Sequence, residues 1–227
     1  MYFRFHKEVS AALIILFLLV VFFYFIYKPL FIVSLILLIF TFYFFRDPER
    51  VVPIGNDILV SPADGLITNI TEIKEGKKLY TKVSIFLSIF NVHIQRLPIS
   101  GEVTKVDYIE GKFINATLDK ASDENERLKI TIKNGNNLIY VTQIAGLIAR
   151  RIVNYVKPNE NINQGDRYGI IKFGSRVDIE FPNNFRLLVK EGQQCIGGET
   201  IIAQDNKSKI SQREFKKIRA NNNNEPI

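Results

Sequence analysis

Cysteine and histidine are scarce in this sequence. Cys195 is the only cysteine, which excludes an internal disulfide framework and a metal cluster held by thiolates, and leaves the redox compartment undetermined. The two histidines are His6, in the N-terminal flank, and His93. A metal site would need further ligands at characteristic spacings, and none accompanies His93. We therefore expect no metal site.

The sequence also lacks a nucleic-acid recognition motif, although it is basic. Its formal net charge of +7 predicts an anionic partner. Because no pattern of interleaved aromatic and basic residues accompanies the charge, we expect no nucleic acid. Anionic lipid is the first candidate.

Hydrophobic residues make up 47% of the chain and are concentrated near its N-terminus. Two apolar runs, 11–27 and 30–45, are at the short end of what crosses a bilayer, and Lys28-Pro29 disfavours a helix between them. The pattern predicts a membrane anchor over residues 1–45, made of two short apolar helices. A hairpin that crosses twice and an anchor that sits in one leaflet are both open. No small-residue cleavage site is evident, so a secretory signal peptide is not expected.

Basic residues flank both ends of this anchor. Arg4 and Lys7 precede the first apolar run, and Arg46 and Arg50 follow the second. Under the positive-inside tendency both flanks stay cytoplasmic, and only Lys28 argues against this. We expect a protein of the cell membrane with its folded domain on the cytoplasmic side.

The rest of the chain predicts a mainly β (β-rich α+β) domain over residues 46–205. Residues 46–65 read as an extended linker into it, and residues 206–227 as a basic, asparagine-rich tail. Short apolar-alternating runs separated by turn residues predict strands. The clearest runs are 82–89, 101–109, 127–133 and 137–146.

Two segments of this domain show a weak similarity in their residue pattern. Residues 156–171 and 189–203 share the order strand end, polar turn, glycine plus acid, strand. The same order occurs in hammerhead barrels of the lipoyl type, and two ordinary hairpins would also explain it.

Residues 170–181, "IIKFGSRVDIEF", predict one half-buried strand with a fault at its middle. Ser175 interrupts the apolar face, and Gly174 before it has no side chain to pack. The apolar face holds Ile171, Phe173, Val177, Ile179 and Phe181, and the polar face holds Lys172, Arg176, Asp178 and Glu180. A β-bulge would be the plain explanation of the fault.

Two further residues carry chemistry at suggestive positions. His93 follows an apolar strand and precedes Pro98 and Gly101, so it lies at a strand end where a side chain can be held rigidly. Asp64 lies in "SPADG", which also suits a plain turn. A structural histidine and a turn aspartate are the alternatives.

Taken together, these stretches resemble a known family. "FRDPER", "SPADG", "FNVHIQRLPISG", "AGLIARRI" and "FGSR", in this order behind an apolar N-terminus, resemble phosphatidylserine decarboxylase proenzymes of the short bacterial and archaeal, pyruvoyl-dependent type. The resemblance covers most of residues 46–203. Each motif alone is weak, and the set is specific.

The resemblance implies a self-cleaving enzyme. The Ser175 hydroxyl would attack the carbonyl of Gly174, and the ester would then eliminate, leaving a pyruvoyl group at position 175. The implied products are a large chain, 1–174, and a small chain, 175–227, which form a heterodimer. His93 would act as base and acid, and Asp64 would orient it.

The implied reaction is decarboxylation of phosphatidylserine to phosphatidylethanolamine in phospholipid biosynthesis. The pyruvoyl group would form a Schiff base with the serine amine and act as electron sink. The implied partners are the phospholipid membrane and its phosphatidylserine. Oligomeric state and acyl-chain preference stay open.

One position departs from the family pattern. Longer members carry two histidines three residues apart, and here His93 matches the first while Arg96 stands in place of the second. Whether His93 serves both self-cleavage and decarboxylation is therefore open. Arg96, Arg150 and Arg151 are candidates for binding the substrate's anionic groups.

Two other functions are compatible with these residues. One is a membrane-tethered, non-enzymatic β-barrel adaptor, in which "FGS" is only a bulge. The other is a pyruvoyl decarboxylase that acts on another amine substrate.

Overall fold

The computed structural model describes residues 10–76, 78–112, 124–146, 152–171, 175–208 and 214–218. The chain divides into two compact units, Met1–Pro48 and Glu49–Ile227.

The first unit contains two helices, α1 (Ser10–Ile26) and α2 (Lys28–Phe44), which confirms the two predicted apolar helices. Tyr27 between them is extended, and Pro29 lies in the first turn of α2, where its missing N–H breaks no helical hydrogen bond. Most of the large apolar side chains of both helices are exposed. Neither helix, nor any other helix among the described residues, is long and apolar enough to cross a membrane.

The second unit is built from strands, which confirms the β-rich class. The predicted runs 101–109, 127–133 and 137–146 match strands closely, and 82–89 overlaps one, because apolar residues at every second position face one core. In chain order the strands are β1 Arg50–Ile54, β2 Ile58–Val60, β3 Gly65–Glu75, β4 Lys78–Leu87, β5 Ile94–Arg96, β6 Gly101–Ile109, β7 Arg127–Asn134, β8 Asn137–Ala145, β9 Ile152–Asn154, β10 Glu160–Ile162, β11 Arg167–Ile171, β12 Ser175–Pro182, β13 Phe185–Leu187, β14 Gln194–Cys195, β15 Ile201–Asp205 and β16 Glu214–Ile218.

The described strands form an eight-stranded antiparallel sheet in the order β10-β6-β7-β8-β12-β4-β3-β14, and three smaller sheets. The smaller sheets have the orders β5-β11-β9, β13-β15-β2 and β1-β16. Read outward from its centre, the large sheet repeats itself: β12-β4-β3-β14 on one side matches β8-β7-β6-β10 on the other. The first set with β13-β15-β2 is the outer half (58–87 and 175–205), and the second with β5-β11-β9 is the inserted half (94–171).

The two halves repeat in detail as well as in strand order. Each has a β-bulge in its first hairpin, where a threonine, Thr68 or Thr104, donates its hydroxyl to a carbonyl of the neighbouring strand, 3.3 Å in both cases. Gly198 and Gly165 occupy matching turns with φ of 80° and 82°, a conformation that favours glycine. The similar residue patterns of 156–171 and 189–203 therefore correspond to a structural repeat.

One main hydrophobic cluster lies beneath these sheets. It takes fully buried side chains from the large sheet, such as Ile85 and Ile130, and from the small sheets, such as Ile171 and Ile202. Both halves therefore share a single core.

Two predicted irregular segments prove to be ordered strands in part. The prediction of an extended linker over residues 46–65 is wrong from Arg50 onward, because β1 and β2 lie there and Val52 is fully buried. Within 206–227, Glu214–Ile218 pairs with β1 instead of being a free tail. The residues of one strand do not indicate a pairing partner this distant in sequence, so the pairing of β1 with β16 could not be predicted.

The prediction of one half-buried strand over residues 170–181 is wrong. β11 ends at Ile171 in a three-stranded sheet, and β12 begins at Ser175 in the middle of the large sheet. The polar face of β12 is buried too: the Arg176 guanidinium donates to both carboxylate oxygens of Asp178, at 2.7 and 2.8 Å. A charged pair that satisfies itself in this way can lie inside a protein.

Candidate functional site

Two short junctions connect the inserted half to the outer half. The chain leaves β4 through residues 88–93 and returns to β12 across residues 172–174. At the matching place in the inserted half, β7 and β8 are closed by a tight turn after Asn134. The outer half is thus opened where the inserted half has a hairpin, and the predicted cleavage bond lies at that opening.

Ser175 is the first residue of β12 and pairs with Leu87 of β4 and Ala145 of β8. Gly174 lies outside the described residues, as does the Ser175 side chain. The backbone at Ser175 is therefore held from both sides at the point where the second junction ends.

His93 lies at the end of the first junction and is hydrogen-bonded to Ile171, the last residue before the second. Its backbone carbonyl accepts a hydrogen bond from the Ile171 N–H at 3.3 Å, and Ile94 pairs with Ile170 in the adjoining strands. Ile171 is the last described residue before Gly174. The structure therefore brings the histidine motif next to Ile171, three residues before Gly174, although the two are far apart in sequence.

The imidazole of His93 is fully buried and has a defined orientation. Its Nδ1 lies 3.0 Å from the backbone oxygen of Asn91. Since a carbonyl can only accept, Nδ1 carries the proton in the neutral ring, and Nε2 is then the basic nitrogen. The Asn91 side chain accepts hydrogen bonds from both the amide and the hydroxyl of Ser88, which fixes the turn that orients the ring.

Two buried glutamines support the backbone of His93. The Gln95 amide donates to the His93 carbonyl at 2.7 Å, and the Gln143 amide donates to the side-chain oxygen of Gln95 at 2.9 Å. Both side chains are fully buried. The sequence analysis did not identify Gln95 or Gln143 as site residues. The one sequence feature that marks them is a polar glutamine among mainly apolar residues.

Asp64 lies at the start of β3, at the same end of the large sheet as Ser175. Both carboxylate oxygens accept from Nη2 of Arg50, at 2.8 and 2.7 Å, and one also accepts from the Gly197 N–H at 2.8 Å. These contacts, rather than one to His93, are the hydrogen bonds that the described residues give Asp64. Its role in orienting His93 stays a prediction, and the ring is oriented here by Asn91.

Arg50 was not predicted as a site residue. It is the last residue of the "FRDPER" stretch. The Arg50 side chain is 11% exposed and the Asp64 side chain 15%. The only sequence signal for the pair was the presence of both stretches in the resemblance. A pairing between residues on separate strands cannot be read from either stretch alone.

Ser100 occupies in the inserted half the place that Asp64 has in the outer half. Its hydroxyl accepts a hydrogen bond from the Gln164 N–H at 2.9 Å, as Asp64 accepts from Gly197. Capping this turn is thus a structural task that a serine can also perform. The carboxylate of Asp64 is what distinguishes the outer half.

Cys195 borders the Asp64 turn. Its Sγ lies 3.3 Å from the Gly65 carbonyl, and desolvation by burial raises the pKa of the thiol to about 11, with the Asp64 charge adding to the rise. The thiol is therefore neutral near pH 7 and is a poor nucleophile.

The three candidate anion-binding arginines divide into two groups. Arg96 is 2% exposed, and its Nη1 donates to the Gly165 carbonyl at 3.0 Å, so it supports a turn of the inserted half. Arg150 and Arg151 lie outside the described residues. Binding of the substrate's anionic groups by any of the three stays a prediction.

Comparison with known proteins gives consistent matches. A family model described as phosphatidylserine decarboxylase matches residues 37–203. The phosphatidylserine decarboxylase proenzyme of Ehrlichia ruminantium (strain Welgevonden) is 46% identical over 203 residues, covering 87% of this chain and 89% of the relative. That of Rickettsia bellii (strain OSU 85-389) is 49% identical over 183 residues, covering 77% and 79%. The family match includes Asp64, His93 and Ser175.

Proposed function

This chain belongs to the phosphatidylserine decarboxylase family, and from that premise we propose that it converts phosphatidylserine to phosphatidylethanolamine after cutting itself at Gly174-Ser175. The observation that carries the proposal is the hydrogen bond from Ile171 to the His93 carbonyl, which joins the two junctions. It holds His93, whose buried imidazole has a basic Nε2, beside Ile171, three residues before Gly174.

The proposed cleavage uses residues of this chain alone. His93 accepts the proton of the Ser175 hydroxyl, whose oxygen attacks the Gly174 carbonyl and converts the amide into an ester. Loss of the serine α-proton then eliminates the Gly174 carboxylate and leaves dehydroalanine. Its tautomer is hydrolysed, ammonia leaves, and the residue at position 175 becomes a pyruvoyl group.

The described backbone fits a cofactor made in this way. β12 pairs with β4 over its whole length and with β8 from Ser175 to Glu180, so a new terminus at position 175 stays anchored after the cut. A pyruvoyl group supplies an electrophilic ketone that accepts the electrons released when carbon dioxide leaves the substrate. The same pairing holds the small chain, 175–227, to the large chain, 1–174.

His93 has a second task in the proposal. After carbon dioxide leaves, a proton must be delivered to the substrate carbon, and a protonated imidazole can donate it. The buried position of His93 excludes bulk water from that transfer. His93 is the only histidine in residues 46–205, so the proposal gives it both steps.

We also propose that the protein acts at the cytoplasmic face of the cell membrane. The two helices expose apolar side chains along their length, with Phe25 80% exposed, and such side chains favour lipid over water.

We propose in addition that the β-rich unit is a hammerhead-type barrel. The repeated turns with Gly165 and Gly198 support this finer fold assignment.

The activity is tested on purified protein in vesicles that contain phosphatidylserine. The proposal expects phosphatidylethanolamine and carbon dioxide from the wild type and neither from Ser175→Ala. Ser84→Ala is the matched control because its buried hydroxyl has no hydrogen-bond partner in the described structure. Product formation by the Ser175→Ala variant would overturn the site assignment.

Free serine, offered in parallel, separates the substrate classes. The proposal expects no turnover of free serine. Turnover of free serine alone would favour a pyruvoyl decarboxylase of another amine. No turnover of either by a fully cleaved protein would contradict the proposed reaction, and an uncut, inactive protein would favour the adaptor.

A further inference from the structure

The turn that orients His93 displays two apolar side chains to solvent. Ile89 and Phe90 are 37% and 61% exposed. The turn is closed by the Asn91 N–H, which donates to the Ser88 carbonyl at 2.9 Å, and by the two Ser88 hydrogen bonds to the Asn91 side chain. The exposed parts of these two apolar side chains are available for contact with another surface.

Strand directions place this turn at the end of the large sheet that carries the site. Leu87 of β4 is adjacent to Ser175 at the start of β12, and Cys195 of β14 is adjacent to Gly65 at the start of β3. Ile196, the residue after β14, is 43% exposed at the same end.

The inserted half shows that the fold does not require apolar residues here. Its turn at the matching strand ends, between β7 and β8, is formed by Gly135 and Asn136, which are polar or lack a side chain. The apolar character of Ile89 and Phe90 is therefore particular to the half that carries the site.

We propose that Ile89, Phe90 and Ile196 form a docking surface for a phospholipid membrane and enter the boundary between head groups and acyl chains. The proposal rests on the proposed function, since it gives a lipid-modifying site its lipid surface. Apolar side chains, aromatic ones especially, favour this boundary. Because the turn is already ordered, docking costs little conformational entropy. Docking of this turn would place His93, three residues after Phe90, at the depth of the lipid head groups.

The sequence contains no tryptophan, so one introduced tryptophan reports on a single place. The full-length Phe90→Trp protein is reconstituted into vesicles of phosphatidylcholine and phosphatidylglycerol, with or without bromine on the acyl chains. Leu79→Trp is the matched control, because Leu79 is 47% exposed and lies on β4 at the opposite end. We expect F90W emission to move to shorter wavelength and lose most of its intensity to bromine, and L79W emission to do neither.

Absence of bromine quenching in F90W, or equal quenching in both variants, would overturn the docking surface. A blue shift of F90W without vesicles that grows with protein concentration would also overturn it and assign the surface to a second copy of the chain. Phosphatidylethanolamine formation is measured on the same samples with phosphatidylserine added. Quenching without product contradicts the proposed function alone, and product without quenching contradicts the docking surface alone.

Discussion

At the residue scale, the central feature is one histidine whose two nitrogens have different environments. The Asn91 carbonyl holds the proton on Nδ1, so the neutral ring presents a basic Nε2. We expect His93→Ala to fold and to remain uncut, as seen by gel electrophoresis under denaturing conditions. Normal processing of this variant would move the base to another residue.

We expect Asp64 to have both a structural and a chemical task, which a serine can separate. Ser100 shows that a hydroxyl caps this turn, so Asp64→Ser retains the hydrogen bond from Gly197 and loses only the carboxylate. We expect a folded protein, about 1–3 kcal/mol less stable because Arg50 loses its partner, with cleavage blocked or strongly slowed. The readouts are thermal unfolding by circular dichroism and the fraction cleaved.

The matched control for that variant is Ser100→Ala in the inserted half. It removes the equivalent cap, should cost about 1 kcal/mol, and should leave cleavage at the wild-type rate. If Asp64→Ser is cleaved as fast as Ser100→Ala, the carboxylate has no chemical task.

Cys195 makes stability depend on alkaline pH in a defined direction. Burial raises its pKa from 9.0 to about 11, so between these values the unfolded thiol releases a proton that the folded thiol keeps. The free energy of unfolding therefore falls as pH rises through this window. Thermal unfolding at pH 8 and pH 10.5 should show a larger loss in the wild type than in Cys195→Ala, and equal losses would contradict this pKa.

At the scale of elements, β12 is both the proposed cleavage product and the centre of the sheet. Ile179 is fully buried and pairs with Val83 and Val141. Ile179→Ala should lower the free energy of unfolding by about 2–5 kcal/mol through loss of packing. In urea, it should release the small chain at a lower concentration than the wild type does.

Val51→Ala is the surface control for this prediction. Val51 is 48% exposed on β1, so its truncation should change stability by no more than about 0.5 kcal/mol. Equal sensitivity of the two variants would mean that β12 does not hold the chains together.

At the scale of the whole molecule, alternation of apolar residues predicted β4, β6, β7 and β8 and the β-rich class because burial on one face leaves a period of two. It did not predict that β11 and β12 lie in different sheets, since both fit one unbroken pattern. Nor did it predict the buried pair Arg176 and Asp178, because a central strand is covered on both faces only by elements distant in sequence.

The candidate site divides in the same way. His93, Asp64 and Ser175 were recognisable as motifs, whereas Arg50 and Gln143 became visible only through contacts across the fold. The repeat was weak in sequence because few of its positions, mainly the turn glycines and capping residues, need the same residue type in both halves. Insertion of one half into the other places both junctions, and the site, at one opening.

Mass spectrometry of the purified full-length protein under denaturing conditions tests the central claim most directly. The account predicts two fragments, 1–174 and 175–227, the second beginning with a pyruvoyl group and resisting N-terminal sequencing. A single intact chain of 26.1 kDa under all conditions, or a cut at any other bond, would contradict it.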